Sequence, residues 1–316
     1  MGRPHLARPA HALTARAVTA GTEQTLHMDP GTPRLMWHLF EPVHGVTYFA
    51  EEPRRAAADF GLTGYWAGYV VFRAAPLGSV GPAVVTAAFH GFGPSRLTKV
   101  LPRAWDAVSP AQALEARATS TAAALRAICA VAGIGDDQVT AAADALERAA
   151  AAVDVAGRVL AAANVALPRR DDPYERLWQA TTVLREHRGD GHVATLVALG
   201  VSPVESHLLK ITAGESEERS LRLGRAWDDV QWAAGRARLH DRGWTDPAGD
   251  LTPAGHAARD EVERRTDEAA SAPWRALGQA ASIEVAALLR PFAAAVAASG
   301  VVPFPNPVGL GWPPPA

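Results

Sequence analysis

The densest polar stretch of the chain is Arg185-Glu186-His187-Arg188-Gly189-Asp190-Gly191-His192. Its guanidiniums can hold an anion through paired hydrogen bonds, and its imidazoles can move a proton near neutral pH. A helix runs into the stretch, Gly189 breaks it, and Asp190 is placed to cap a helix resuming at His192-Val193-Ala194. Two readings stand side by side. Either these residues cap and solvate a helix end, or Arg185, His187 and His192 line a ligand pocket, with Arg188 as a second anion holder. A second set lies in the first half of the chain, where His44 precedes Tyr48 and Arg73 sits in the apolar run Val70-Val71-Phe72-Arg73-Ala74-Ala75. A buried Arg73 needs an acidic partner, and Glu41 is the expected one. The alternative is that His44, Tyr48 and Arg73 line a pocket for a small organic acid or phenol.

Other chemistries lack their residues. His38, Glu41 and His44 follow each other at three-residue steps, each drifting about 60° around a helix, and Pro42 interrupts the ladder, so no metal site is expected. Gly91-Phe92-Gly93 lacks the third glycine of a dinucleotide fingerprint, and no Walker loop or nucleophile elbow occurs. No cofactor is expected, and no catalytic residue is identified. The single cysteine, Cys129, lies in Ala127-Ile128-Cys129-Ala130-Val131 and reads as a buried thiol.

The elements that must position these groups are mostly helical. Apolar residues recur at three- and four-residue intervals over 110–132 and 137–163, with Gly133, Gly135 and Pro168 as punctuation. Strand-like alternation is confined to 83–89 and a short hairpin over 244–251. Several segments recur in order. Arg34-Leu35-Met36-Trp37 leads to Phe60-Gly61-Leu62-Thr63, as Arg176-Leu177-Trp178 leads to Leu199-Gly200-Val201-Ser202. Arg103-Ala104-Trp105-Asp106 matches Arg225-Ala226-Trp227-Asp228, and Leu114-Glu115-Ala116-Arg117 matches Leu239-His240-Asp241-Arg242. The expected division is a disordered extension over 1–30, one repeat over 31–168, a second over 169–301, and a Pro-rich extended tail over 302–316. Residues 1–27 are basic but lack the apolar core of a secretory signal, and Met28 is an alternative start. No apolar run reaches the length of a membrane span, so a cytoplasmic protein without a membrane partner is expected.

The second repeat is the more telling. A helix over 227–242 stops at Gly243, Trp244 to Leu251 carry turn residues, and Thr252-Pro253 opens the next helix. This order resembles the recognition helix, wing and following helix of MarR-type winged-helix proteins. In that resemblance the segment 274–298 takes the place of the dimerising C-terminal helix, and two fused copies form an intrachain pseudo-dimer. The chain from Arg34 to Pro314 also resembles an actinobacterial family labelled helix-turn-helix. Glu41-Pro42-Val43-His44, Thr47-Tyr48-Phe49-Ala50, Arg73-Ala74-Ala75-Pro76-Leu77-Gly78, the 185–192 stretch and Pro305-Asn306-Pro307 carry that likeness. It implies a helix-turn-helix fold and brings no activity. The expected class is therefore mostly α, with tandem winged-helix units and at most short wing strands.

Double-stranded DNA and a small-molecule ligand are the expected partners, for a monomer (as pseudo-dimer) or a homodimer. Arg236, Arg238 and Arg242 are placed to contact phosphates or guanines. Against this, Asp228 and Asp229 head the same helix, the wing is acidic from Asp246 to Asp250, and the first repeat has no wing. The formal net charge of -2 excludes a global basic field. Two functions thus remain open: a MarR-type regulator answering to a small molecule, or a scaffold that binds or converts a small molecule without touching DNA.

Overall fold

A computed structural model describes residues 28–304, 306 and 310–314. The expected disorder of 1–27 lies outside the described residues. The helices in chain order are α1 (Thr32–Phe49), α2 (Glu51–Asp59), α3 (Tyr65–Ala74), α4 (Pro82–Phe89) and α5 (Pro94–Ala107). They continue with α6 (Pro110–Ala132), α7 (Asp136–Ala150), α8 (Val159–Val165), α9 (Pro173–Ala198) and α10 (Pro203–Thr212). The last are α11 (Glu218–Arg225), α12 (Asp229–Asp241), α13 (Pro253–Ala269), α14 (Ala272–Leu277) and α15 (Gln279–Ser299). Among the described residues the β pairing is one antiparallel bridge, Thr245 to Leu251.

The starts are written in the sequence. Ser109, Asp172, Ser202, Asp228 and Thr252 each accept a backbone N–H of the helix they precede. Pro110, Pro173, Pro203 and Pro253 occupy first-turn positions, where a missing N–H costs nothing. α9 is the spine. It packs against α1, α6, α7, α8 and α13, and with α1, α6, α7 and α15 it forms the largest core, around Met36, Phe40, Leu177, Trp178, Leu289 and Phe292. A helix wrapped on all sides has to bury its polar residues too, and α9 buries Glu186, His187, Arg188 and Asp190.

Two smaller cores flank it. α3, α4 and α5 pack through Val70, Ala74, Val85, Phe89, Leu97 and Leu101. α10, α11 and α12 pack through Val204, Leu208, Leu221, Trp232 and Leu239. α12 and the Thr245–Leu251 bridge behind it fall where the sequence places a helix and a short hairpin.

Several expectations are corrected. The strand candidate at 83–89 is α4, because Gly81-Pro82 nucleates a helix and Val85, Ala88 and Phe89 fall on one helical face. Gly189 does not break α9, which runs unbroken from Pro173 to Ala198. Asp190 therefore caps no helix of its own. Its Oδ2 accepts Leu160 N–H and Ala161 N–H, both at 2.9 Å, and so caps α8. The glycine that matters is Gly191, where a Cβ would meet Arg158 Nη1 at 2.6 Å and Ala269 Cβ at 3.0 Å. The long helix expected over 137–163 is split into α7 and α8, and 274–298 is split at Gly278. The paired tetrapeptides are not equivalent either: 103–106 lies inside α5, whereas Arg225 ends α11 and 226–228 form the turn to α12. Finally, α15 is by length and composition apolar enough to cross a membrane. It is accounted for by packing, with Val285, Leu289, Phe292 and Val296 in the largest core.

Candidate functional site

α1, α3, α9, α10, α11 and α13 converge on one cavity of about 150 Å³. Its walls are unusually cationic. Arg73 comes from α3, Arg185 and Arg188 from α9, Lys210 from α10 and Arg225 from α11. Trp37, Tyr69 and Phe89 supply flat apolar surface, and Glu41 and Glu263 the lining carboxylates.

Glu186 is the electrostatic centre. It takes Arg73 in a fork, Nε to Oε1 at 2.9 Å and Nη2 to Oε2 at 3.0 Å. Arg185 Nη1 donates to the same Oε2 at 2.8 Å. Burial would raise the Glu186 carboxyl, but Arg185 and Arg73 outweigh it and hold it well below the usual carboxylate range. Glu41, expected to pair with Arg73, instead accepts Trp37 Nε1–H at 3.1 Å and lies 3.6 Å from Arg185 Nε. The reason is reach across the packing: α9 sets Glu186 against α3, and Glu41 is left facing Arg185. Burial raises the Glu41 carboxyl more than Arg185 and Trp37 lower it. Arg188 Nη1 donates to Asp267 at 2.6 Å and stacks over Trp37 at 4.8 Å. Arg225 lies 4.1 Å over the Phe92 ring, and its Nε is buried without a hydrogen-bond partner. Five cations thus face Glu41, Glu186, Glu263 and Asp267, leaving the chamber with a positive balance.

The histidines are neutral. Burial, reinforced by Lys210 at His192 and by Arg225 at His207, depresses both to about 3. His207 Nε2 donates to Gly91 O at 2.7 Å. Thr266 Oγ1 spends its own proton on Val262 O, so His192 Nδ1 donates to it at 2.9 Å and keeps a lone pair on Nε2.

Of the residues singled out from sequence, Arg73, Arg185 and His192 meet in this cavity. His44 and Tyr48 form a packed layer behind Glu186, beside a void with no room for water. There His44 Nδ1 donates to Thr182 Oγ1 at 3.0 Å, and burial depresses its pKa further than any neighbouring charge. The structure does not bring His187 to the cavity. Two residues past Arg185 is about 200° around the helix, so His187 faces the other way, fully buried with neither ring nitrogen hydrogen-bonded. Lys210, Arg225 and His207 were missed by the sequence reading. A signal existed for the first: only Lys99 and Lys210 are lysines among 31 Lys and Arg residues.

The arginines of α12 are differently placed. Arg236 donates to Glu218 at 2.6 Å, Arg238 to Ser202 Oγ at 3.1 Å, and Arg242 lies 3.5 Å from Glu205 and 4.1 Å over Trp244. Between them the exposed face carries Asp229, Val230, Ala233, Ala234 and Ala237. The turns of the two three-helix units also grip each other. Gly93 N–H donates to Arg225 O at 2.8 Å, Trp227 Nε1–H to Gly91 O at 3.1 Å, and Arg96 Nη2 to Leu223 O at 3.1 Å. A Cβ at Gly93 would stand 2.4 Å from Ala226 O, so only glycine permits this approach.

The fold and site define an all-α protein in which two three-helix units close over a positively charged internal chamber. A model of the helix-turn-helix family matches residues 33–303, and the chain belongs to that family. No match was found to a curated protein or to a solved structure. Among the described residues no cluster of His, Cys, Asp and Glu could hold a metal ion.

Proposed function

We propose that the chain is a helix-turn-helix regulator whose contact with double-stranded DNA answers to a small anionic molecule held between its halves. One observation carries this reading. Gly91, His207 and Arg225 belong both to the cavity wall and to the joint between the two turns. Whatever fills the cavity is therefore coupled to the relative placing of α5 and α12.

The winged-helix, MarR-like part of the reading is supported by the run α10, α11, α12, bridge, α13. A tandem origin is favoured by a shared detail. The two described non-glycine residues at positive φ, His90 (φ 50) and Ala226 (φ 60), are the C-caps of α4 and α11. The first unit lacks a wing because Val108 and Ser109 lead directly into α6. In this reading the pseudo-dimer is internal and the protein works in the cytoplasm as a monomer or homodimer.

A second reading, a scaffold that binds or converts a small molecule without reading DNA, is favoured by the acidic head of α12 and the paired state of its arginines. Fluorescence anisotropy with duplex DNA from upstream of the protein's own gene, titrated at several salt concentrations, separates the two. Binding tighter than about 10⁻⁷ M that outcompetes random duplex and weakens steeply with salt supports the regulator. Equal, weak binding to every duplex overturns it and leaves the second reading.

A further inference from the structure

Every other cation in the cavity wall is an arginine, and arginine suits an anion better than lysine does, because its planar fork bonds in pairs and stays charged. Lys210 breaks this habit in a chain with only one other lysine, the exposed Lys99. What an amine has and a guanidinium lacks is the capacity to lose its proton and attack carbon. The surroundings of Lys210 ease the loss of its proton. Burial depresses its pKa first, and Arg225 on α11 and Arg188 on α9 press the same way, against Glu263 on α13 and Glu41 on α1.

We propose that Lys210 forms a reversible imine with a small 2-oxo carboxylate, the carboxylate being held by the guanidiniums that share the cavity. The inference rests on the anion-binding reading above and names the ligand's chemistry. A carboxylate answers the guanidiniums, a carbonyl answers the amine, and a cavity of about 150 Å³ admits a molecule of benzene size or less. In the reaction the amine nitrogen bonds to the carbonyl carbon and the carbonyl oxygen takes up a proton. The carbinolamine then expels water as the C=N bond forms, and the nitrogen's remaining surplus proton passes to solvent. Amine and carbonyl give imine and water, with no oxidant or reductant. The departing hydroxyl takes its proton from solvent.

The test uses the full chain with pyruvate as probe and cyanoborohydride as trap, read by intact mass and peptide mapping. One reduced adduct is expected, on Lys210 in excess of the exposed Lys99, and none at position 210 in Lys210→Arg, whose unfolding midpoint is checked to be unchanged. Lactate, which keeps the carboxylate but has no carbonyl, should give no adduct and should slow labelling by pyruvate. Adducts favouring Lys99, or equal labelling of the intact chain and Lys210→Arg, overturn the proposal. Calorimetry without the trap separates the two levels. Lactate and pyruvate that bind without any adduct overturn the imine and leave the anion site standing, whereas no binding of either overturns both.

Discussion

The buried arginines of the cavity and the exposed arginines of α12 are one residue type in opposite settings. Arg73 and Arg185 share Glu186, a residue that is 1% exposed, through hydrogen bonds of 2.8 to 3.0 Å. Arg236 and Arg238 have side chains 53% and 48% exposed, and they reach Glu218 and Glu205 at 2.6 and 3.5 Å. Inside, desolvation makes each charge depend on its partner. Outside, water screens Arg236 and Glu218 and their contact is worth little, while Arg238 reaches from the surface to the buried Glu205. The difference is one of setting: the guanidiniums of the cavity are buried around a shared carboxylate, whereas Arg236 and Arg238 are about half exposed.

The largest expected effect comes from breaking the inner set. Glu186→Gln keeps the shape but leaves two buried guanidiniums facing each other, at a cost of about 3–5 kcal/mol by analogy with buried pairs that lose one partner. Urea unfolding of the variant measures it. A loss below about 1 kcal/mol would mean that the chamber is hydrated well enough to behave like the surface, and the contrast drawn above would fail.

Acid should dismantle the interior before the exterior. His187 is depressed to about 4, and His192 and His207 to about 3, each mainly by burial. Between those values and the ordinary 6.5 the unfolded chain holds protons that the folded chain refuses. Stability therefore falls as pH drops below about 6.5, by up to about 1.4 kcal/mol per pH unit for each histidine. Asp190, raised by burial to about 6, works in the opposite direction and offsets part of this. Glu186 adds to the loss at lower pH, because its folded carboxyl is held low and must be protonated against Arg185 and Arg73. Thermal midpoints should hold from pH 7.5 to about 6.5 and decline from there to pH 4.5, and a flat profile throughout would show the histidines to be solvated.

How much of this was legible depends on sequence distance. The turn after α12 and its flanks could be read, because Gly243, Asp246 and Thr252 act on residues within reach: Asp246 N–H to Asp250 O at 2.9 Å, and Thr252 Oγ1 to Gly243 O at 2.6 Å. Cys129 was readable as a buried thiol from its apolar neighbours, and burial raises it to about 11. That Arg73 needs a buried acid was also readable, since an apolar helix leaves a charge no water. That the acid is Glu186 was not, because the pairing joins residues 113 apart and depends on how α3 docks on α9. Gly189 misled for a related reason. A glycine and a capping residue look alike whether they end their own helix or accommodate another, and Asp190 caps α8 across space.

The smallest effect on stability, and the sharpest on function, belongs to the outer set. Arg236→Ala removes an exposed, screened pair and should cost less than about 1 kcal/mol, and Arg238→Ala should cost somewhat more, because Glu205 is buried and keeps Arg242 at 3.5 Å as its cation. If α12 enters a DNA groove, however, the same guanidiniums leave Glu218 and Glu205 for phosphates. Each substitution should then lower the slope of log affinity against log salt by about 1, across specific and random duplex alike. The exposed Ala233, Ala234 and Ala237 leave the backbone of α12 open to close approach, so the arginines are the side chains that can supply that slope. Unchanged slopes in both variants would place any DNA contact elsewhere on the chain and leave the chamber, with its buried cations, as the functional charge of the molecule.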